Sequence, residues 1–510
     1  MTNRGKGGRR AGTPGDPGEA AAAVCVTGVL IAGLAMAAAA LFPALLLGET
    51  VVGIDLGTTF SCVAVCQAGT ARVVPVEGRR PCIPSAVTFD HPGGSGRDGV
   101  VRQLVQEAKR RTQQLAEALE GGKPRANALH LGPLVAVVGA PAAQRRTELP
   151  AGQVAYDVKR VIGRSFHHPL TQLEAQTLPY RVLEDPVGSN RTVIALTPPP
   201  ASSSSSSSPS ESAARKWAPE ELSALVLRRL KESAEASLGV QKLLGFSFTT
   251  ATVSVPAEFD VEQRRATEKA ALLAGFKVTR LVEEPVAAAV AYDLQKSKEP
   301  KQVLVFDFGG GTLDVALLYL APGDGPRRGT FLVKETAGDA HLGGEDFDRR
   351  LAQELARQLG LDKVAAFMQD GGHQSSPEKA VQGASEHHLA QVLLKTAEQA
   401  KIALDHQTSV TMTVNVTSSA FPQEVVVTRE LFEKINAPLL ERMLLPIHAV
   451  LNRAGVQKSE VDDVVLVGGS TLMACVRERV GSLFDDKPLN VGVDPDTAIA
   501  LGAARFWGCG

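Results

Sequence analysis

Aromatic residues are scarce in this chain: they make up 5% of it, with two tryptophans and four tyrosines. Neither sign of charge prevails, because 54 Lys and Arg stand against 55 Asp and Glu for a formal net charge of -1. A nucleic-acid surface needs a basic excess interleaved with aromatic rings, and electrostatic adhesion to an anionic membrane needs the excess alone. The composition argues against both. Cysteine is sparse as well. Cys25, Cys62, Cys66, Cys82, Cys475 and Cys509 are scattered and form no Cys-x-x-Cys pair, so neither a disulfide framework nor a thiolate metal site is expected. Cys62 and Cys66, four apart on a strand, share a face and read as small apolar packing residues.

One long uncharged run stands out. Arg4, Lys6, Arg9 and Arg10 precede Ala20 to Gly48, which is rich in Ala and Leu and carries no charge. Residues 1–49 therefore read as a basic N-terminus with a targeting segment. The segment is longer than a signal-peptide core of about 7 to 15 residues and close to the roughly 20 that span a bilayer. A cleaved signal and a retained anchor both stay open. The basic residues favour a cytosolic N-terminus and translocation of everything after Gly48. Two glycosylation sequons, at Asn190 and Asn415, fit an endoplasmic reticulum lumen or microsomal location.

At 510 residues the chain exceeds a single core. Apolar strand-like runs at Val51 to Val65, Ala86 to Phe89, Thr250 to Val255, Val303 to Leu318, Val410 to Val416 and Val464 to Val467 alternate with helical periodicity, an α/β pattern. Asp260 with Gln263 forms a capping box for a helix to Leu273, stopped by Gly275. Pro219 opens another helix, with Leu222, Leu225, Val226 and Leu230 on one face. Pro285 marks a first turn, making Glu284 the expected N-cap after a strand Lys277 to Val282. Residues of about 91–131, with the basic cluster Lys109 to Arg111, and the proline- and serine-rich stretch of about 198–212 read as inserts.

The strongest signal is a repeat. Val51 to Thr59 runs as an apolar strand into Asp55, Gly57, Thr58 and Thr59, and Val303 to Thr312 repeats this with Asp307, Gly309, Gly310, Gly311 and Thr312. A strand ending on a carboxylate brings negative charge to its tip, where a hard cation such as Mg2+ is met directly or through water. Turn glycines let successive N–H groups curl around an anion, and the threonine hydroxyls add donors. Two such halves imply two lobes with a phosphate and a metal held in the cleft.

These loops, together with a third at Leu466 to Thr471 containing Gly468 and Gly469, resemble those of the DnaK-type heat-shock 70 kDa chaperones. So do Val253 to Phe259, Glu284 to Tyr292 and Leu342 to Asp348, in the family's order. The resemblance covers nearly all of Val51 to Ala504. It implies an actin/hexokinase-type ATPase fold of two lobes, each with two subdomains, here residues 50–296 and 297–510. It further implies Mg2+ held by Asp55 and Asp307, and ATP or ADP held by the three loops with Glu398, Lys401 and Asp496. Lys159 matches the family's catalytic lysine, and Glu284, Asp314 and Asp55 are the carboxylates expected to order or deprotonate water.

The sequence also departs from the family. Ile402 and Leu472 stand where arginines are usual against the base, and Asp405 where a serine is usual. Loss of cation-π stacking, about 0.5 to 2 kcal/mol per face, implies weaker ATP affinity with the phosphate chemistry kept. No linker, peptide-gripping module or Lys-Asp-Glu-Leu-like signal follows Trp507 to Gly510. The expectation is an ATPase core like the family's truncated, microsome-associated form, turning over ATP independently of peptide. Protein partners would dock on the lobe surfaces, and the N-terminal segment would make the membrane contact. A low-turnover nucleotide-sensing scaffold is the alternative reading, and a small-molecule kinase on the same fold has no pocket signal to support it.

Overall fold

The structure is a computed structural model that describes residues 51–90, 135–197, 214–238, 247–324, 329–369, 384–415 and 422–509, apart from positions 68, 79, 147, 148, 150, 151, 187 and 486. The N-terminal segment, both inserts and the residues following Asn415 in its sequon lie outside the described residues.

Two sheets organise Val51 to Cys509. In the first, strands run in the order Val278–Glu283, Thr250–Val255, Val51–Leu56, Phe60–Gln67 and Thr70–Val73, with Cys82–Pro84 also paired to Phe60–Gln67. The second runs Thr330–Asp339, Leu313–Ala321, Lys301–Phe308, Asp463–Val467 and Leu489–Asn490. Each has the same centre. An antiparallel hairpin carries the Asp-Gly-Thr turn, and a parallel strand lies beside its first arm. The apolar runs Val51 to Val65 and Val303 to Leu318 are two strands each, because the glycine turns after Asp55 and Asp307 reverse the chain. Thr250–Val255 falls where periodicity places it.

Helix signals translate directly where capping chemistry is local. Asp260 Oδ1 accepts from Gln263 N at 2.8 Å, Gln263 Oε1 accepts from Asp260 N at 3.3 Å, and the helix Val261–Leu273 ends before Gly275 at φ 95°. One cap differs from expectation. Glu283 is the N-cap of the helix Glu284–Ala291, and Glu284 is its first helical residue, since strand Val278–Glu283 pairs one residue further than its apolar run.

Two helices join the sheets. Glu284–Ala291 and the last helix, Ala498–Gly508, share a buried cluster with Val303, Val305, Ala316 and Val465 of the second sheet. The last helix also lies on the first sheet, where a Cβ at Gly53 would come 2.1 Å from Ala504 N. A Cβ at Gly502 would come 1.8 Å from Ala287 O, so both contacts require glycine. The terminal helix assigned to the second lobe is thus built into the first as well. No described helix is long and apolar enough to cross a membrane.

The cysteines overturn their expected role. Cys62 is bonded to Cys82 and Cys66 to Cys509. The shared face of Cys62 and Cys66 was legible, but not what lies on it. Cys82 sits opposite Cys62 in the sheet register, and the end of the last helix crosses above Cys66. Among the described residues only Cys475 is a free thiol, and it is buried.

Candidate active site

The strand tips of both sheets converge on an open cavity of about 1130 Å3. Its walls include the first loop (Gly57, Thr58, Thr59), the second (Gly309 to Thr312) and the third (Gly468, Gly469), with Asp496 at one side. The loops hold one another. Gly309 N donates to Thr312 O at 3.0 Å, Ser470 Oγ donates to Gly309 O at 2.7 Å, and Gly344 N and Glu345 N donate to Gly309 O and Gly310 O. A Cβ at Gly310 would lie 3.0 Å from Thr59 Oγ1, so the first and second loops face each other closely. Gly468 requires its residue type directly, at φ 82° with Phe308 O and Asp307 Oδ1 in the way of any side chain.

At the base of the cavity lie four carboxylates and one ammonium. Lys159, delivered by the short helical turn Val158–Arg160, donates to Glu284 Oε1 at 2.6 Å with both side chains nearly buried. Asp55 accepts from Ser254 Oγ at 3.0 Å. Asp307 and Asp314 stand opposite each other across the second hairpin. Burial and the neighbouring Glu284 push Asp55 and Asp314 each up to about 7, and burial together with Glu284, Asp314 and Asp55 pushes Asp307 well above the carboxylate range. Burial works against the Lys159 ammonium, but Glu284 and Asp55 more than offset it and hold its pKa above the usual lysine value.

One buried cation therefore faces four acids, and the excess negative charge calls for another cation. No group of three or more His, Cys, Asp or Glu side chains arranged to hold a bare metal occurs among the described residues. Mg2+ keeps most of its waters and needs only one or two carboxylates nearby. Asp55 and Asp307, one from each sheet, both line this cavity and would be the residues to hold such a hydrated ion. When bound it would neutralise phosphate charge.

Every expected phosphate, metal and catalytic residue thus lines one cavity. Glu398 and Lys401 do not. Glu398 is exposed on the helix Ala384–Leu404, and Lys401 donates to Asp348 Oδ2 at 2.7 Å and to Gly344 O at 3.2 Å, which braces the second loop rather than opening to a ligand. Ile402 and Leu472 are exposed, at 61% and 42%. Arg477, which donates to Thr471 O of the third loop, also donates to Asp405 Oδ1 at 2.8 Å, so its charge is already paired. Sequence reasoning missed Ser254, and it missed Arg160, which donates to Gly311 O at 3.2 Å and to Ala340 O across the cleft. Arg160 follows Lys159 directly, which was the available signal; its partners are carbonyls that no motif announces.

The family model for the Hsp70 protein matches residues 51–115 and 133–508. The chain belongs to the Hsp70 family. The Hsp70 fold is of the actin/hexokinase type, in agreement with the paired sheets, and Hsp70 members are ATPases. Among curated Hsp70 relatives, the chain is 33% identical over 461 residues to a ribosome-associated molecular chaperone of Eremothecium gossypii, covering 89% of this chain and 60% of that protein. It is 34% identical over 461 residues to a mitochondrial heat shock 70 kDa protein of Dictyostelium discoideum, covering 89% and 56%. The chain spans less than two thirds of the length of either Hsp70 relative.

Proposed function

We propose that this chain binds Mg2+-ATP in the cavity and hydrolyses it. The observation that carries this reading is the Lys159–Glu284 pair at 2.6 Å, set between Asp55 and Asp314 where three glycine loops converge. The loops supply N–H and hydroxyl donors to the phosphates. The Lys159 ammonium stabilises charge on the transferring phosphoryl group. Glu284 holds Lys159 in place, and Asp314 and Asp55, whose raised pKa values suit proton acceptance near neutrality, order and deprotonate the attacking water. No side chain needs to form a covalent intermediate. Steady-state hydrolysis by the wild type and by Lys159→Ala tests this: turnover lost in the variant is expected, and equal near-zero rates would favour the nucleotide-sensing scaffold.

We infer further that the protein works in the lumen of the endoplasmic reticulum, independently of peptide. The uncharged stretch Ala20 to Gly48 with its basic flank supports the location, as does the exposed Asn190 sequon. N-terminal sequencing of the protein from microsomes tests the first point; a cytosolic, uncut protein would overturn it. Turnover measured with and without an unfolded peptide tests the second.

A further inference from the structure

The two disulfides share one strand that borders the nucleotide cavity, and of their four cysteines only Cys62 lines it. Both start from the strand Phe60–Gln67, whose first residues complete the first phosphate loop. Cys62 lines the cavity, and its partner Cys82 lies on the adjacent strand with a Cα separation of 4.3 Å. Asp496 O sits 3.1 Å from Cys62 Sγ. The same short loop carries Pro495 O, which accepts from Gly468 N at 3.0 Å, and the Asp496 carboxylate, which would block any side chain at Gly469. The third phosphate loop therefore rests on a segment that rests on the first disulfide. Immediately afterwards the chain enters the last helix, Ala498–Gly508, and the second disulfide, Cys66–Cys509 with Cα atoms 5.8 Å apart, fastens the far end of that helix to the first sheet. One end of the segment from Asp496 to Cys509 thus lies against the Cys62 sulfur, and the other is bonded to the same strand through Cys66–Cys509.

We propose that Cys62–Cys82 and Cys66–Cys509 are disulfides of the mature protein, that they staple the strand bordering the cavity, and that tight nucleotide binding depends on them. The second half of this rests on the nucleotide-binding reading above; the first does not. Each bond forms as two thiols lose two protons and two electrons to an external disulfide, a protein dithiol-disulfide exchange partner or glutathione disulfide, which leaves as two thiols. The bonds are placed for stability in an oxidising compartment. Cys62 and Cys66 are 1% and 0% exposed, and their partners Cys82 and Cys509 are half-buried.

The physical effect is pre-organisation. With the bonds open, the last helix is held to the first sheet by non-covalent contacts alone, Gly53 with Ala500 and Ala504 and Arg280 over the Trp507 ring. Nucleotide binding must then also order the Asp496 loop, so affinity is expected to fall by about tenfold.

The test uses the full chain recovered from the secretory pathway of a eukaryotic host. Alkylation under denaturing, non-reducing conditions followed by digestion and mass spectrometry should return linked peptides pairing Cys62 with Cys82 and Cys66 with Cys509. All four recovered as alkylated thiols, or paired otherwise, would overturn the assignment. Mg2+-ADP titration is then run before and after reduction, with circular dichroism confirming that the reduced protein stays folded. Should it unfold, Cys509→Ser, which leaves the first bond intact, supplies the titration instead. Weaker binding in the reduced or Cys509→Ser protein supports the staple, and unchanged affinity refutes the dependence. Absence of Mg2+-ADP binding in every state, with the disulfide pairs present, would refute the nucleotide reading and leave the bonds standing.

Discussion

Lys159 stands beside more negative charge than one ammonium can neutralise, and this decides what its removal does. Lys159→Ala removes the cation that lowers the pKa values of Asp55, Asp307 and Asp314, so these three aspartates shift further toward their protonated forms. Hydrolysis should fall by about 100-fold or more, because the charge that meets the transferring phosphoryl is gone. Nucleotide binding should persist more weakly, and equilibrium titration beside single-turnover rates separates the two effects. At the base-binding end the direction reverses. Ile402→Arg or Leu472→Arg places a cation where an exposed apolar side chain now lies, and each should tighten ATP binding by about 2- to 30-fold through cation-π stacking of roughly 0.5 to 2 kcal/mol. Tripolyphosphate, which has no base, should show no such gain in a competition titration.

The elements that matter most are the two helices shared by both sheets. Gly502 brings Ala498–Gly508 so close to Glu284–Ala291 that a Cβ would sit 1.8 Å from Ala287 O. Gly502→Val must therefore part the helices and disturb Glu284 at the start of one of them. A loss of about 1 to 3 kcal/mol in stability is expected, read as a lower thermal midpoint, together with a weaker response to Mg2+-ADP. Much of this level was legible beforehand. The capping box at Asp260, the strand Thr250–Val255 and the Asp-Gly-Thr turns are local signals, and local chemistry fixes them. What escaped the sequence depends on distant partners. The Cys66–Cys509 bond spans 443 positions, Lys401 turns to Asp348 rather than to the cavity, and Arg160 meets main-chain carbonyls. No periodicity records such pairings, and a motif names residues without saying what each will touch.

At the scale of the whole molecule, the cavity couples folding to pH and to its ligand. Asp55 and Asp314 titrate near 7 in the folded chain, against an ordinary 3.8. A folded-state pKa raised above the unfolded value means that the native protein holds more protons between about pH 4 and 7, so stability declines as pH rises through that window. The free protein should therefore lose thermal stability from about pH 5 to 7.5, while most surface carboxylates are already ionised and contribute little to the slope. Mg2+ held at Asp55, as proposed above, would compete there with the proton. Its binding should release protons near about pH 6.5, and the stabilisation it confers should grow over the same interval. Thermal melts at several pH values, with and without Mg2+-ADP, measure both slopes. Asp314→Asn, which carries no charge to bury, should flatten the decline in the free protein. A decline left intact in that variant would mean that groups elsewhere in the fold set the pH response, and that the acids of the two sheets are not the ones binding the protons.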